Sequence, residues 1–238
     1  MKNVLSQNSY VADHVNKWIT KMGDGHLHRW FLNNGDKIAH KWLHYFDIYE
    51  RHLRRFRGQD AVVLEIGVGS GGSLQMWRDY FGPRTTIIGL DIDPQCKQHE
   101  AEGIEIVIGS QADTAILDEI MRRHPKINIV LDDGSHVMSD MIATFEHLYP
   151  RIDVNGLYLV EDLHTCYWEE YGGGLRRQGS FIELIKERID DINAMHARGA
   201  MPVSEFTRST DSMAIYDSVV VFEKRRQGRR QAIMTGGL

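Results

Sequence analysis

Val62-Val63-Leu64-Glu65-Ile66-Gly67-Val68-Gly69-Ser70-Gly71-Gly72 is an apolar run that breaks into a glycine loop. A run this short, rich in β-branched residues and bounded by glycine, predicts a buried strand. Residues 73–81 then carry a helical pattern, and the alternation repeats downstream. Strands are predicted at 86–90, closing at Asp91, and at 104–108, 127–131 and 157–160, with helices at 113–123 and 138–149. Continuous apolar strands separated by amphipathic helices predict a parallel sheet covered on both faces. Residues 213–216 and 219–222, joined by Asp217-Ser218, predict a closing hairpin. The expected fold is α/β: a Rossmann-like, doubly wound, mostly parallel seven-stranded sheet ending in an antiparallel pair.

The flanks are helical in pattern. Residues 178–197 place Phe181, Leu184, Ile185, Ile189 and Ile192 at helical spacing. Residues 37–56 put Ile38, Trp42, Phe46, Tyr49, Leu53 and Phe56 on one helical stripe. The expected organisation is an N-terminal helical extension or lid over 1–57, a catalytic domain over 58–224, and a basic flexible tail over 225–238. The net charge of −5 argues against a dedicated nucleic-acid binder, the run 224–230 reading as a solvated tail. Cys96 and Cys166 have no zinc or disulfide spacing. No signal peptide or membrane-length apolar run is evident, so a cytoplasmic protein with no membrane partner is expected.

Two strands end in paired acids. The run 127–131 leads into Asp132-Asp133-Gly134-Ser135-His136, and the run 157–160 leads into Glu161-Asp162. Four carboxylates at one sheet edge repel one another, and a cation offsets them. Oxygen ligands favour Mg²⁺, with Mn²⁺ able to compete. His136 adds a base that works near neutral pH. The bland rivals are plain: Asp132 or Asp133 could cap the next helix, and a lone His is more often structural. That rival is weaker for Glu161-Asp162, where no helix pattern starts directly. Tyr167 and Trp168 could stack on a sugar or anchor a loop, and Gly172-Gly173-Gly174 suggests a mobile segment over an acceptor.

The glycine loop fits two cofactors. Gly67, Gly69 and Gly72 satisfy a dinucleotide pattern, which alone is weak. A nicotinamide cofactor brings a pyrophosphate and usually a separate substrate domain, for which the chain is short. S-adenosylmethionine carries a sulfonium and an ammonium group, which suit acidic surroundings better. Glu65, two residues before Gly67, and Asp91, placed for ribose hydroxyls, favour the methyl donor.

With these stretches, the runs 72–77, 88–93, 109–113 and Asn34-Gly35-Asp36-Lys37, the chain resembles the class I S-adenosylmethionine-dependent methyltransferases. More narrowly it resembles the metal-dependent O-methyltransferases of antibiotic sugars and methylmannose polysaccharides, and the cephalosporin-hydroxylase-like group. The resemblance implies that Asp133, Glu161 and Asp162 hold Mg²⁺ and that His136 is the general base. It implies donor binding by Glu65, Gly67, Gly69, Ser73 and Asp91, with Gln111 and Asp113 by the adenine and Asp132 toward the methionine end. A sugar-containing acceptor and a homodimer or higher oligomer are implied as well. Methylation of a catechol-like phenol is the runner-up, and an NAD-dependent oxidoreductase the alternative from another class.

Overall fold

Side-chain alternation along the strands decides where everything else sits. The computed structural model describes residues 25–228 and 230–237. Its strands are β1 (Val62–Ile66), β2 (Thr86–Asp91), β3 (Ile104–Ile108), β4 (Ile129–Asp132), β5 (Leu157–Val160), β6 (Thr210–Tyr216) and β7 (Val219–Lys224). They form one sheet in the order β3-β2-β1-β4-β5-β7-β6. Strands β1 to β5 run parallel, and β7 is antiparallel to both β5 and β6. The chain leaves β1 toward β2 and later returns to its other side as β4. In such sheets, ligands bind at the carboxyl ends of the strands beside this reversal.

The helices are α1 (His26–Asn33), α2 (Tyr45–Leu53), α3 (Gly72–Phe81), α4 (Thr114–Arg123), α5 (Met138–Leu148), α6 (Phe181–Asn193) and α7 (Glu205–Ser209). Odd-numbered strand residues such as Val63, Ile87, Leu131 and Leu159 pack under α2 and α3, against Tyr49, Trp77 and Phe81. Even-numbered residues such as Leu64, Ile88, Val130 and Tyr158 pack under α4, α5 and α6, against Leu117, Phe145 and Phe181. Both faces are covered, which is why these strands read as unbroken apolar runs.

Two expectations are corrected. The stripe over 37–56 is helical only from Tyr45, with a 3-10 turn at Arg54–Phe56. Residues 34–44 form an irregular strap, and Ile38 and Trp42 are exposed at 72% and 53%. The strap crosses the start of α3 so closely that a Cβ on Gly72 would lie 2.4 Å from the Ile38 carbonyl oxygen. That close approach, not the apolar pattern, sets the local backbone. The helix expected over 178–197 runs only from Phe181 to Asn193, continues as a 3-10 turn, and leaves Ile189 exposed.

The triple glycine is tied down, because the N–H groups of Gly172, Gly173 and Gly174 donate to Glu169, Trp168 and Cys166 carbonyls. The first tail residues are held too: Arg225 and Gln227 both reach Asp211. Lys224 Nζ donates to the carbonyls of Tyr149, Pro150 and Ile152, pinning the end of β7 to the end of α5. Of the N-terminal extension, residues 1–24 lie outside the described residues. No helix among the described residues is long and apolar enough to cross a membrane.

Candidate functional site

The carboxyl ends of β1, β2, β4 and β5 open into a crevice of 430 Å³ beneath the strap. Gly67, Val68, Gly69, Ser73 and Asp91 line one side, Asp133, His136, Glu161 and Asp162 the other, with Lys41, Trp42 and Tyr45 above. A smaller cavity of 160 Å³ shares Gly67, Asp91 and Gly134 and extends the crevice to Ser110 and Gln111. A wider trough along β3, of 740 Å³, shares no residue with this site. Its charged side chains pair with one another, as in Arg123 with Glu105 and Lys97 with Glu100.

Alternation continues past the strand ends and divides Asp132 from Asp133 and Glu161, while Asp162 leaves the pattern at its left-handed φ of 54°. Asp132, even-numbered, turns under α5 and is 2% exposed. It accepts hydrogen bonds from Tyr158 Oη at 2.7 Å and Gln111 Nε2 at 3.1 Å. Asp133 and Glu161, odd-numbered, turn the other way, toward the strap and α2. There Lys41 Nζ donates to Asp133 Oδ2 at 2.5 Å and to Glu161 Oε2 at 2.8 Å. Tyr49 Oη donates to Glu161 Oε1, and Tyr45 Oη to Asp162 Oδ1, each at 2.7 Å. One oxygen of Asp133 and one of Asp162 remain, and His136 Nε2 faces them at 3.7 and 3.8 Å.

The ligand atoms of Asp133, His136 and Asp162 all lie within 4.8 Å of one another. The hard carboxylate oxygens of Asp133 and Asp162 fit a divalent cation such as Mg²⁺ or Mn²⁺, and the imidazole stands beside them. Glu161 is adjacent, with both oxygens engaged by protein donors. His136 and Asp162 adopt left-handed backbone conformations, φ 57° and 54°. Each costs about 1–2 kcal/mol for a non-glycine residue, and such strain concentrates at functional sites. Neither Asp132 nor Asp133 caps α5, whose N-cap position is Val137. A 3-10 turn does begin at Leu163, directly after Asp162, yet the Asp162 side chain does not cap it.

Burial sets the electrostatics. Desolvation alone would lower the Lys41 pKa, but Asp133, Glu161 and Glu65 outweigh it and raise it, so the ammonium stays charged. Burial first, then Asp133, raises Glu161, while Lys41 and Tyr49 pull it down. With an ammonium 2.8 Å away, the pair is an ion pair.

The residues expected at the donor are placed as follows. Glu65 is fully buried, accepting from Trp77 Nε1 and Ser73 Oγ at 2.9 and 3.0 Å, and burial pushes its pKa up to about 7. Asp91 accepts N–H groups of Val68, Gly69 and Asp93; these more than offset burial and lower its pKa. Gln111 bridges Asp132, Thr144 and the Ser135 N–H. Asp113 caps α4 through the Ala115 N–H and lines neither cavity. Gly67 has φ 90°, and a Cβ there would lie 2.0 Å from the Asp133 carbonyl oxygen. The donor loop and the acidic strand end therefore touch.

Three residues escaped sequence reading: Lys41, Tyr45 and Tyr49. Tyr49 lies on the apolar stripe and is buried as a stripe residue should be, but its hydroxyl contact with Glu161 is invisible to that pattern. A buried Tyr needs a partner for its O–H, and that was the available signal.

No family model matches the chain. The chain is 38% identical over 197 residues to the mycinamicin VI 2''-O-methyltransferase of Micromonospora griseorubida, across 77% of this chain and 49% of that protein. It is 42% identical over 162 residues to the demethylmacrocin O-methyltransferase of Streptomyces fradiae, across 63% and 40%. The chain thus spans about half the length of the curated relatives it matches. The MycE methyltransferase of the mycinamycin pathway, solved with Mg and SAH, aligns at TM-score 0.74 and 34% identity over 85% of this chain and 54% of that one. Its complex with Mg, SAH and mycinamycin VI aligns at TM-score 0.73 and 29% identity over 94% and 63%.

Proposed function

We propose, from the premise that this chain is a class I S-adenosylmethionine-dependent methyltransferase related to the sugar O-methyltransferases of antibiotic glycosides, that it methylates a sugar hydroxyl with the help of Mg²⁺. The observation that carries the reading is the convergence of Asp133, His136 and Asp162 at the end of the glycine-loop crevice.

Methyl transfer needs an oxygen in line with the donor's methyl–sulfur bond. As the carbon–oxygen bond forms, the carbon–sulfur bond breaks, sulfur leaves as a neutral thioether, and the hydroxyl proton must go elsewhere. His136 Nε2 is the proton acceptor in this reading. Lys41 is unsuited to that role, because two carboxylates hold its ammonium. Asp133 and Asp162, joined by Glu161, would hold the divalent cation, which when bound stabilises negative charge developing on the hydroxyl oxygen. Acids around the loop suit a sulfonium better than a pyrophosphate, which supports a methyl donor over NAD.

The exposed aromatics at the mouth support a sugar-bearing acceptor. Trp42, Tyr167 and Trp168 are about half exposed, and the His164 ring lies edge-on to both Trp42 and Trp168. Aromatic faces of this kind cover the apolar face of a pyranose. The test is a methyl-transfer assay on simple methyl glycosides carrying neighbouring hydroxyls, with product read by mass spectrometry. Transfer should vanish after EDTA stripping and return with MgCl₂. An undiminished rate in metal-free protein would sink the reading.

A further inference from the structure

We propose that Lys41 is a tethered stand-in cation: it holds Asp133 and Glu161 together before the ion arrives and gives up Glu161 when the ion binds. The inference rests on the cation site proposed above.

The Lys41 side chain is 3% exposed and the Glu161 side chain 2%, so the pair is buried at the inner wall of the crevice. Asp133 and Glu161 emerge from adjacent parallel strands, in the register that pairs Asp132 with Val160, and turn to the same face. Two carboxylates held this way repel strongly in a poorly solvated place. A positive group between them offsets that repulsion and lets both stay ionised, with or without a metal. Lys41 Nζ bridges them at 2.5 and 2.8 Å.

The bridge is built to yield. Lys41 comes from the irregular strap, not from a helix or strand, so its backbone can shift without breaking a ladder of hydrogen bonds. The strap is fastened on either side of it. Asn34 Nδ2 donates to the Lys37 carbonyl, Gln75 Nε2 to Asp36, and Tyr45 Oη to Asp162. The ammonium is a compact charge on a flexible stem with three donors, able to keep Asp133 while releasing Glu161, which a rigid guanidinium fork is not. Charge matches as well. Asp133, Glu161 and Asp162 against the one Lys41 ammonium leave two negative charges, the complement of a single divalent ion.

Removing the ammonium should therefore tighten the ion and loosen the apo protein. The experiment uses the whole chain, stripped with EDTA, as wild type, Lys41→Met and Lys41→Arg. Mn²⁺ affinity is read by calorimetry or electron paramagnetic resonance, and thermal unfolding is followed with and without MgCl₂. Lys41→Met should bind Mn²⁺ about tenfold tighter or more, the scale of one unit charge added a few Å from the ion at a partly solvated site. Without metal it should melt below wild type, and it should gain more from MgCl₂. Lys41→Arg, which keeps the charge but not the ability to release Glu161, should bind Mn²⁺ more weakly than wild type. A Lys41→Met protein that folds only in MgCl₂ supports the proposal in its strongest form. Equal or weaker Mn²⁺ binding by Lys41→Met than by wild type, or its failure to fold even with MgCl₂, overturns it. Mn²⁺ binding to neither wild type nor variant instead refutes the cation site on which the proposal rests.

Discussion

Replacing Gly67 by alanine tests the contact between the donor loop and the acidic strand end. The added Cβ would lie 2.0 Å from the Asp133 carbonyl oxygen and 2.7 Å from its carbon, both main-chain atoms that no rotamer change can move. Relief requires a backbone shift of about 1.5 Å to reach ordinary contact. Such a shift strains two hydrogen bonds, Gly67 N–H to the Leu90 carbonyl and Asp133 N–H to the Ile66 carbonyl, each 2.9 Å. Those bonds are worth about 1 kcal/mol apiece, and alanine at φ 90° adds about 1–2 kcal/mol. The expected loss is therefore about 3–4 kcal/mol, or roughly 10 °C in melting temperature for a chain of this size. Gly69→Ala is the control, since Gly69 has φ 50° but nothing within 4 Å of its Cβ position; it should lose only the backbone share, about 1–2 kcal/mol. Thermal unfolding by circular dichroism reads both. Calorimetry should also show S-adenosylhomocysteine and Mn²⁺ weakened together in Gly67→Ala, because loop and strand end move as one. Equal melting losses in the two variants would refute the steric argument.

His136→Asn removes the proposed base while keeping a residue that tolerates the left-handed backbone found there; turnover should fall about 10²- to 10⁴-fold with S-adenosylhomocysteine affinity unchanged, and near-normal turnover would point to another base. Asp132→Asn should flatten the pH dependence of stability. Burial holds the Asp132 pKa up to about 6 despite donors from Tyr158 and Gln111, so the folded state binds this proton more tightly than the unfolded one. Its contribution is complete below about pH 4 and is lost as pH rises through 6, on the order of 2 kcal/mol. Urea unfolding of metal-free protein at pH 4.5 and 7.5 checks it, and equal slopes in variant and wild type would contradict the assignment.

The sheet was legible because each parallel strand buries both faces, so its signal is local and strong. In the hairpin at 213–222 only β7 carries that signal, since β6 is a half-exposed edge strand, and Asp217-Ser218 marks the turn. The acids were visible as strand endings, but their division was not drawn from the sequence. Asp132 and Asp133 read as one cluster, although alternation sends them to opposite faces of the sheet. The strap was misread because Ile38 and Trp42 fall at helical spacing with Phe46 and Tyr49, whereas the buried ion pair of Lys41 and the packing of Ile38 on Gly72 set its path. Both are contacts across the fold, invisible to a periodicity that samples neighbours. The left-handed turns at His136 and Asp162 escaped because Asp and His only tolerate that conformation more than most residues do, which does not single out these two positions.

The turn between β6 and β7 fastens this site from behind. Ser218 accepts the Leu163 N–H at its carbonyl and meets His164 Nδ1 at 2.6 Å, while Asp217 accepts from His44 at its carbonyl. One turn thus clamps both the loop after Asp162 and the strap that carries Lys41. Strand β7 also closes the open side of β5, although it follows β5 only after the intervening helices and β6. During synthesis the acids at 133, 161 and 162 emerge with their strand unpaired on that side, and the clamp arrives more than fifty residues later. The centre is therefore completed only after β7 has been made. Until residue 224 is free to reach the end of α5, the chain holds the acids of the crevice without holding the crevice.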